Sequence, residues 1–338
     1  MLMINRMRFI FLLIVLAIQS QSTIAEPSPA DTNSMVWIPG STFTMGSNAY
    51  YREEGPAHKV RVDGFWIDKH EVTNDQFARF VEQTQYLTVA ERPVSAAEFP
   101  MVSPELLKPG SAVFVQPEKI TSGNILQWWK YIPGANWRHP TGPGSSIDAK
   151  QNHPVVHIAF EDAEAYAKWA GRELPTEAQW ELAASVQGEK ELQANTWQGT
   201  FPVENTRLDG YESTAPVKSF PPNKLGVYDM LGNVWEWTAN WYAPGHVPQA
   251  TSNPTGPDVS NSFAPHEPGV KVRVIKGGSF LCAPNYCMRY RPTARHSQDT
   301  GLGSNHIGFR TILKPPGPEN PVQRSNLTPA KEHSHVEI

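Results

Sequence analysis

Two cysteines stand in this sequence, Cys282 and Cys287, separated by Ala-Pro-Asn-Tyr. A thiol pair this close has two chemistries open to it. In an oxidising compartment it closes a disulfide; as free thiols it is a soft donor pair suited to redox work or to a soft metal ion. The crosslink would add little, because so short a loop stabilises by only about 2 kcal/mol in the chain-entropy model. A chain of 338 residues also buries a sufficient core without it. Spacing alone leaves both chemistries open.

The pair lies in the run Arg273 to Arg295, so earlier elements must form the frame that positions it. Met35 to Gly46 predicts two short strands around the Pro39-Gly40 turn, and Lys59 to Asp68 predicts further strands. Thr73-Asn-Asp-Gln76 is a capping-box pattern followed by Phe77, Phe80 and Val81 at helical spacing, which predicts a helix beginning there. A second helix is predicted over Glu161 to Ala170, stopped by Gly171, and a third from the Thr176/Gln179 capping box. Between them, 92–144, 188–220 and 243–269 carry no clear periodicity and are expected to be irregular but packed.

Hydrophobic residues make up 39% of the chain and charged residues 18%, with 11 Trp, 24 Gly and 31 Pro. That balance predicts a compact, turn-rich fold of mixed α+β class rather than long helices or disorder. Arg6 and Arg8 precede the apolar run Phe9 to Ile18 and the Thr23-Ile24-Ala25 site, so residues 1–25 are expected to be a cleaved signal peptide and the protein to be exported. The run has about half the length needed to cross a bilayer, so no membrane span is expected after cleavage. Without Arg6 and Arg8 the chain has 27 basic against 33 acidic residues, a net charge of −6 that gives no footing for nucleic acid. Residues 26–35 read as a linker, 36–314 as one domain, and 315–338, with its five prolines, His333 and His335, as a mobile tail.

The cysteine block, with Ser304-Asn-His-Ile-Gly-Phe-Arg310, Asn233-Val-Trp-Glu-Trp237, Gly171-Arg-Glu-Leu-Pro-Thr-Glu-Ala-Gln-Trp-Glu181, Gly134-Ala-Asn-Trp-Arg-His-Pro140 and Asn152-His-Pro-Val-Val-His157, closely resembles the formylglycine-generating enzyme family. The resemblance spans essentially the whole domain. It implies a duplicated, modified C-type-lectin-like fold with little regular secondary structure. It further implies Cu(I) held by Cys282 and Cys287, with a third coordination position for the cysteine of a sulfatase polypeptide bearing Cys-x-Pro-x-Arg. Dioxygen and a thiol reductant would then convert that cysteine, through loss of a β-hydrogen and hydrolysis of a thioaldehyde, to the aldehyde formylglycine.

Carried over residue by residue, the resemblance puts Ser279, Tyr286, Trp235 and His306 in the reactive pocket, His306 at a position where some relatives have Asn. It also implies two structural calcium sites. The first would use Asn195, the Thr196 carbonyl, Asp209 and the Tyr211 carbonyl; the second would use Asp229, the Gly232 and Val234 carbonyls and Glu236. Arg289, Arg291 and Arg295 are expected to brace the fold. Vertebrate-like members have His where this chain has Ala283, and they carry extra cysteines absent from it. Three alternatives stand beside this reading: a non-catalytic lectin-like binding protein, an oxidase of another substrate on the same scaffold, and an enzyme whose two cysteines act as a redox disulfide without metal.

Overall fold

The computed structural model describes residues 32–94, 97, 100–185 and 193–315. The expected signal peptide, most of the expected linker and the tail beyond 315 lie outside the described residues, as does part of the 188–220 stretch.

Twelve short strands and three helices occupy the described chain. Strands β1 (Met35–Ile38) and β2 (Ser41–Met45) flank the predicted turn, and β3 (His58–Val62) and β4 (Phe65–Asp68) follow where expected. Helix α1 (Asn74–Thr84) is capped reciprocally, Gln76 N donating to Thr73 Oγ1 at 3.3 Å and Thr73 N to Gln76 Oε1 at 2.9 Å. It buries Phe77, Phe80 and Val81. Helix α2 (Phe160–Trp169) lays Tyr166 against Phe77, ring centroids 5.9 Å apart, and Trp137 and Phe309 close the same cluster. Truncating Phe77 there to Ala would cost about 3–5 kcal/mol.

Helix α3 (Glu177–Ala184) is buried on every side, polar residues included. Glu177 pairs with Arg295, and Glu181 accepts from Lys276 Nζ at 2.8 Å and from Gly46 N at 2.6 Å. A buried charge is tolerable only with partners of this kind.

The 92–144 stretch is less irregular than its sequence suggests. It contains an antiparallel pair, β5 (Gly110–Phe114) and β6 (Trp129–Pro133). Two five-residue strands give too short an alternation to stand out, and the 115–128 connection between them hides the hairpin. The remaining strands are β7 (Trp235–Trp241), β8 (Thr251–Ser252), β9 (Val272–Lys276), β10 (Arg295–Asp299), β11 (Ile307–Gly308) and β12 (Ile312–Leu313). The sheets run β1-β4-β12, β2-β3-β8 and β10-β9-β7-β11, with β5-β6 separate. The result is the expected α+β fold with little regular secondary structure. Among the described residues no helix is long and apolar enough to cross a membrane.

Candidate active site and cation sites

The four-stranded sheet places the cysteines. At the end of β9 the chain leaves through Gly277 (φ +95) and Gly278 (φ +76), a left-handed pair that only glycine adopts without strain. A Cβ on Gly278 would also meet the Tyr290 backbone at 3.1 Å, so outgoing and returning limbs of the excursion are in contact. The excursion carries Ser279, Cys282, Tyr286 and Cys287 before the chain re-enters at β10. Its inner turn is held by Cys282 N donating to the Ser279 carbonyl and Cys287 N donating to the Ala283 carbonyl, both at 2.9 Å.

Both cysteines are free thiols, with Sγ atoms 2.8 Å apart. Cys282 is buried and Cys287 half-buried. Burial, then the hydrogen bond to its neighbour, pushes the Cys282 thiol well up. The same hydrogen bond pulls Cys287 down to about 7 against its burial, with help from the Arg289 backbone and guanidinium. The two thiols therefore titrate as a coupled pair in which Cys287 is the more acidic member. Arg289 braces the fold as expected, pairing with Glu53 at 2.6 Å, and it also stands beside Cys287, a second position whose sequence signal was its place two residues after that cysteine. Arg291 and Arg295 do brace the fold, on Glu54 and Glu177.

The thiols open into a cavity of 420 Å³ lined by all six expected pocket residues, Ser279, Cys282, Tyr286, Cys287, Trp235 and His306. Ser279 Oγ and His306 Nδ1 lie 3.1 Å apart in a hydrogen bond whose direction follows the imidazole tautomer. Enclosure by protein, reinforced by His296 and His157, pushes His306 down to about 3. The ring is therefore neutral at neutral pH. Trp235 N donates to the His306 carbonyl at 2.9 Å, because β7 and β11 run parallel there. Tyr286 stacks on Phe201 with centroids 4.3 Å apart, and Trp129 lies 4.8 Å from the His306 ring.

Trp129 and Phe201 come from two of the three stretches without periodicity, so nothing local marked them as pocket walls. Ala283 is fully buried in a cluster with Trp128, Trp197 and Phe201. It does not line the cavity, and a larger side chain at that position would have to displace aromatic packing.

For copper, the donors fit: two thiols at contact distance, one already acidic, are the soft ligands Cu(I) favours. Among the described residues no group of three or more His, Cys, Asp or Glu side chains is arranged to hold a metal ion. The protein thus offers this pocket two sulfur donors.

Of the residues expected to hold calcium, Thr196 O and Asp209 Oδ2 come together in the first set, and Asp229 lies near Glu236 in the second. In the first set, Thr196 O and Asp209 Oδ2 lie 2.5 and 2.9 Å from one atom, the Gln198 amide nitrogen, so both aim at one point. In the second, Glu236 accepts from Arg310 through both oxygens and from Trp180 Nε1. Asp229 and Glu71 share that buried region. Glu71 Oε2 has no hydrogen-bond partner, and burial followed by repulsion from Asp229 pushes its carboxyl well up. Burial likewise moves Asp229 to about 6. The Arg310 guanidinium stands among all three carboxyls, and the raised Glu71 keeps its proton there, so the cluster carries less negative charge than three carboxylates would. Glu71 was not visible as a partner in sequence because it is 158 residues from Asp229.

Fold and pocket together define the class: a loop-rich α+β protein with a polarised free thiol pair at the floor of an aromatic-walled cavity. Residues 21–315 match the family model of the sulfatase-modifying factor enzyme 1-like domain. Relatives 40–45% identical carry the name formylglycine-generating enzyme. That of Mycobacterium tuberculosis is 45% identical over 298 residues, covering 83% of this chain and 98% of its own length. A Mus musculus protein named inactive C-alpha-formylglycine-generating enzyme 2 is 36% identical over 83% of this chain and 86% of its own. The solved structure of PvdO from Pseudomonas aeruginosa shares the fold, with TM-score 0.54 and 22% identity over 83% of this chain and 94% of that one. The chain belongs to the formylglycine-generating enzyme family.

Proposed function

We propose that this protein is an exported oxidase that uses copper and dioxygen to convert the cysteine of a Cys-x-Pro-x-Arg segment in a sulfatase polypeptide to formylglycine. One observation carries the reading. In a chain of this family, the two cysteines are free thiols 2.8 Å apart that line the cavity together.

Copper, when bound, supplies the redox centre at which dioxygen is reduced. Cys282 and Cys287 would hold it through their thiolates, with the substrate sulfur as a further donor. Arg289 favours the thiolate form of Cys287 and so favours metal loading at neutral pH. The Ser279 hydroxyl, hydrogen-bonded to His306, gives the cavity wall a polar group to hold oxygen or water. Trp235, Phe201 and Tyr286 limit the water that reaches the sulfur. Electrons balance if dioxygen takes two from the substrate cysteine and two from two equivalents of a thiol reductant. The products are a thioaldehyde, a disulfide and two waters. Hydrolysis of the thioaldehyde then gives the aldehyde and hydrogen sulfide.

The two calcium sets would be structural, stabilising loops that feed the β7 side of the pocket. Export rests on Arg6, Arg8 and the apolar run that follows them.

The test is a Cys-Thr-Pro-Ser-Arg peptide incubated with copper-loaded protein, dioxygen and a thiol. Mass spectrometry and hydrazide capture read the aldehyde, with Cys287→Ser protein as the blank. Conversion that slows when the peptide's Pro or Arg is replaced supports the reading, since neighbouring anchors place the sulfur. A peptide left intact by protein that oxidises an unrelated thiol would replace it with the other-substrate oxidase.

A further inference from the structure

A second cavity, of 770 Å³, is walled by the same elements as the thiol pocket. On the four-stranded sheet Trp235, Ile275 and Gln298 line the thiol pocket, while Trp241 and Arg273 line its neighbour. The register puts all five on one face, since Trp241 and Gln298 each pair with Arg273, two residues from Ile275 on β9. The β5-β6 hairpin repeats the pattern. Trp129 of β6 lines the first cavity and Tyr131, two residues on, lines the second. Gln298 marks the junction, its Nε2 donating at 2.9 Å to the carbonyl of Leu302, a residue of the second cavity's wall.

The wall of the second cavity is aliphatic along Val94, Val102, Leu106 and Leu302, and Val102 and Leu106 are exposed. Charged groups there answer one another: Arg92 pairs with Glu161 at 2.6 Å, and Glu164 lies within electrostatic reach of Arg273. The Arg273 guanidinium is clamped between the Phe160 and Trp241 rings, 3.8 Å from each centroid. Among the described residues its one hydrogen bond runs from Nη1 to the Ala239 carbonyl. A guanidinium carries five N–H donors, so the clamp holds spare donors in a fixed plane. An apolar wall with fixed donors suits an extended polypeptide, whose carbonyls take the donors while a side chain takes the apolar space.

We infer that the two cavities form one substrate trough, in which the second seats a large apolar side chain of the polypeptide about four to six residues from its reacting cysteine, with Arg273 donating to a main-chain carbonyl beside it. The inference rests on the oxidase reading given above and adds a specificity element to it. The spacing follows from β7, where Trp235 and Trp241 mark the two cavities six residues apart, and an extended chain alongside rises about 3.3 Å per residue. An acidic side chain is disfavoured in the second cavity, because burial strips its water and no free cation repays the loss.

The experiment uses full-length, copper-loaded protein and peptides carrying Cys-Thr-Pro-Ser-Arg in a Gly/Ser frame. Leu, Asp or Lys is set five or six residues before the cysteine in one series and after it in the other. In one series Leu should lower KM roughly tenfold against Asp at unchanged kcat, because burying the side chain adds binding without touching the reacting bonds. Leu106→Asp should abolish that preference and turn it toward Lys, a reversal that general loss of fold would not produce. Equal KM for Leu and Asp in both series, or a Leu preference that survives Leu106→Asp, overturns the trough alone. Fluorescence anisotropy of labelled peptides with Ala in place of the cysteine separates the trough from the chemistry. The same Leu preference in binding, by protein that converts no peptide, supports the trough as a polypeptide site and overturns the oxidase reading.

Discussion

Arg289 Nη2 lies 2.6 Å from Glu53 Oε1 while its guanidinium sits over the Tyr51 ring at 4.1 Å, so the charge beside Cys287 is anchored by a turn 236 residues earlier in the chain. Tyr51 Oη also accepts from Met288 N at 3.3 Å, tying the same turn to the residue after Cys287. The polarity of the thiol pair is thus a tertiary property. Neither cysteine acquires it from its neighbours in the loop alone.

Metal-free protein should therefore alkylate asymmetrically. Iodoacetamide should modify Cys287 with a pH midpoint near 7, while Cys282, pushed well up by burial, stays unmodified until far more alkaline pH. Arg289→Gln should move the Cys287 midpoint upward. Mass spectrometry of the modified peptide across a pH series reads both outcomes; equal modification of the two thiols near pH 7 would contradict the assignment.

Replacing either cysteine with Ser should weaken Cu(I) binding by orders of magnitude and abolish turnover, because a hydroxyl is a poor ligand for a soft ion. Competition against a Cu(I) chelator measures the first effect and the peptide assay the second. Full activity in both single variants would remove copper-thiolate chemistry from the proposal.

Calcium should raise the melting temperature and chelator should lower it, since a ligand of the native state stabilises that state. Asp209→Asn and Glu71→Gln should each blunt the response. Glu236→Ala is the wrong probe despite its place in the ligand set. Both Glu236 oxygens hold Arg310, and stranding that buried guanidinium would itself cost about 3–5 kcal/mol. A melting temperature indifferent to calcium in the wild type would count against both sites.

Acid should expose the Glu177 network. Burial alone would raise this carboxyl, but Arg295 and then Lys276 hold it down at about 2. A depressed folded-state carboxylate contributes stability that is complete above the unfolded value of about 4.5 and is lost as pH falls from there toward 2. The loss should be on the order of 3 kcal/mol. Glu177→Gln should be less stable at pH 7 and flatter across that window, as read by denaturant unfolding at each pH. A wild-type curve with no added slope between 4.5 and 2 would sink the argument.

By itself the sequence determined the frame and singled out the two cysteines. Thr73/Gln76 and Thr176/Gln179 announced two helices because capping is a local transaction between residues three apart. The spacing of Cys282 and Cys287 put both sulfurs within reach of one ligand. The resemblance in the blocks around them named pocket residues that the fold then gathered into one cavity. Tertiary structure decided what no local pattern encodes. The β5-β6 hairpin brings Trp129 onto His306, and the excursion around Phe201 supplies the face on which Tyr286 stacks. Glu71 reaches the Asp229/Glu236 cluster from far upstream, and Glu53 anchors the guanidinium that adds to the Cys282 hydrogen bond in lowering Cys287. Each of these is a pairing across long sequence separation, fixed by burial and charge in the folded chain, and the residues concerned carry no periodicity of their own to reveal it.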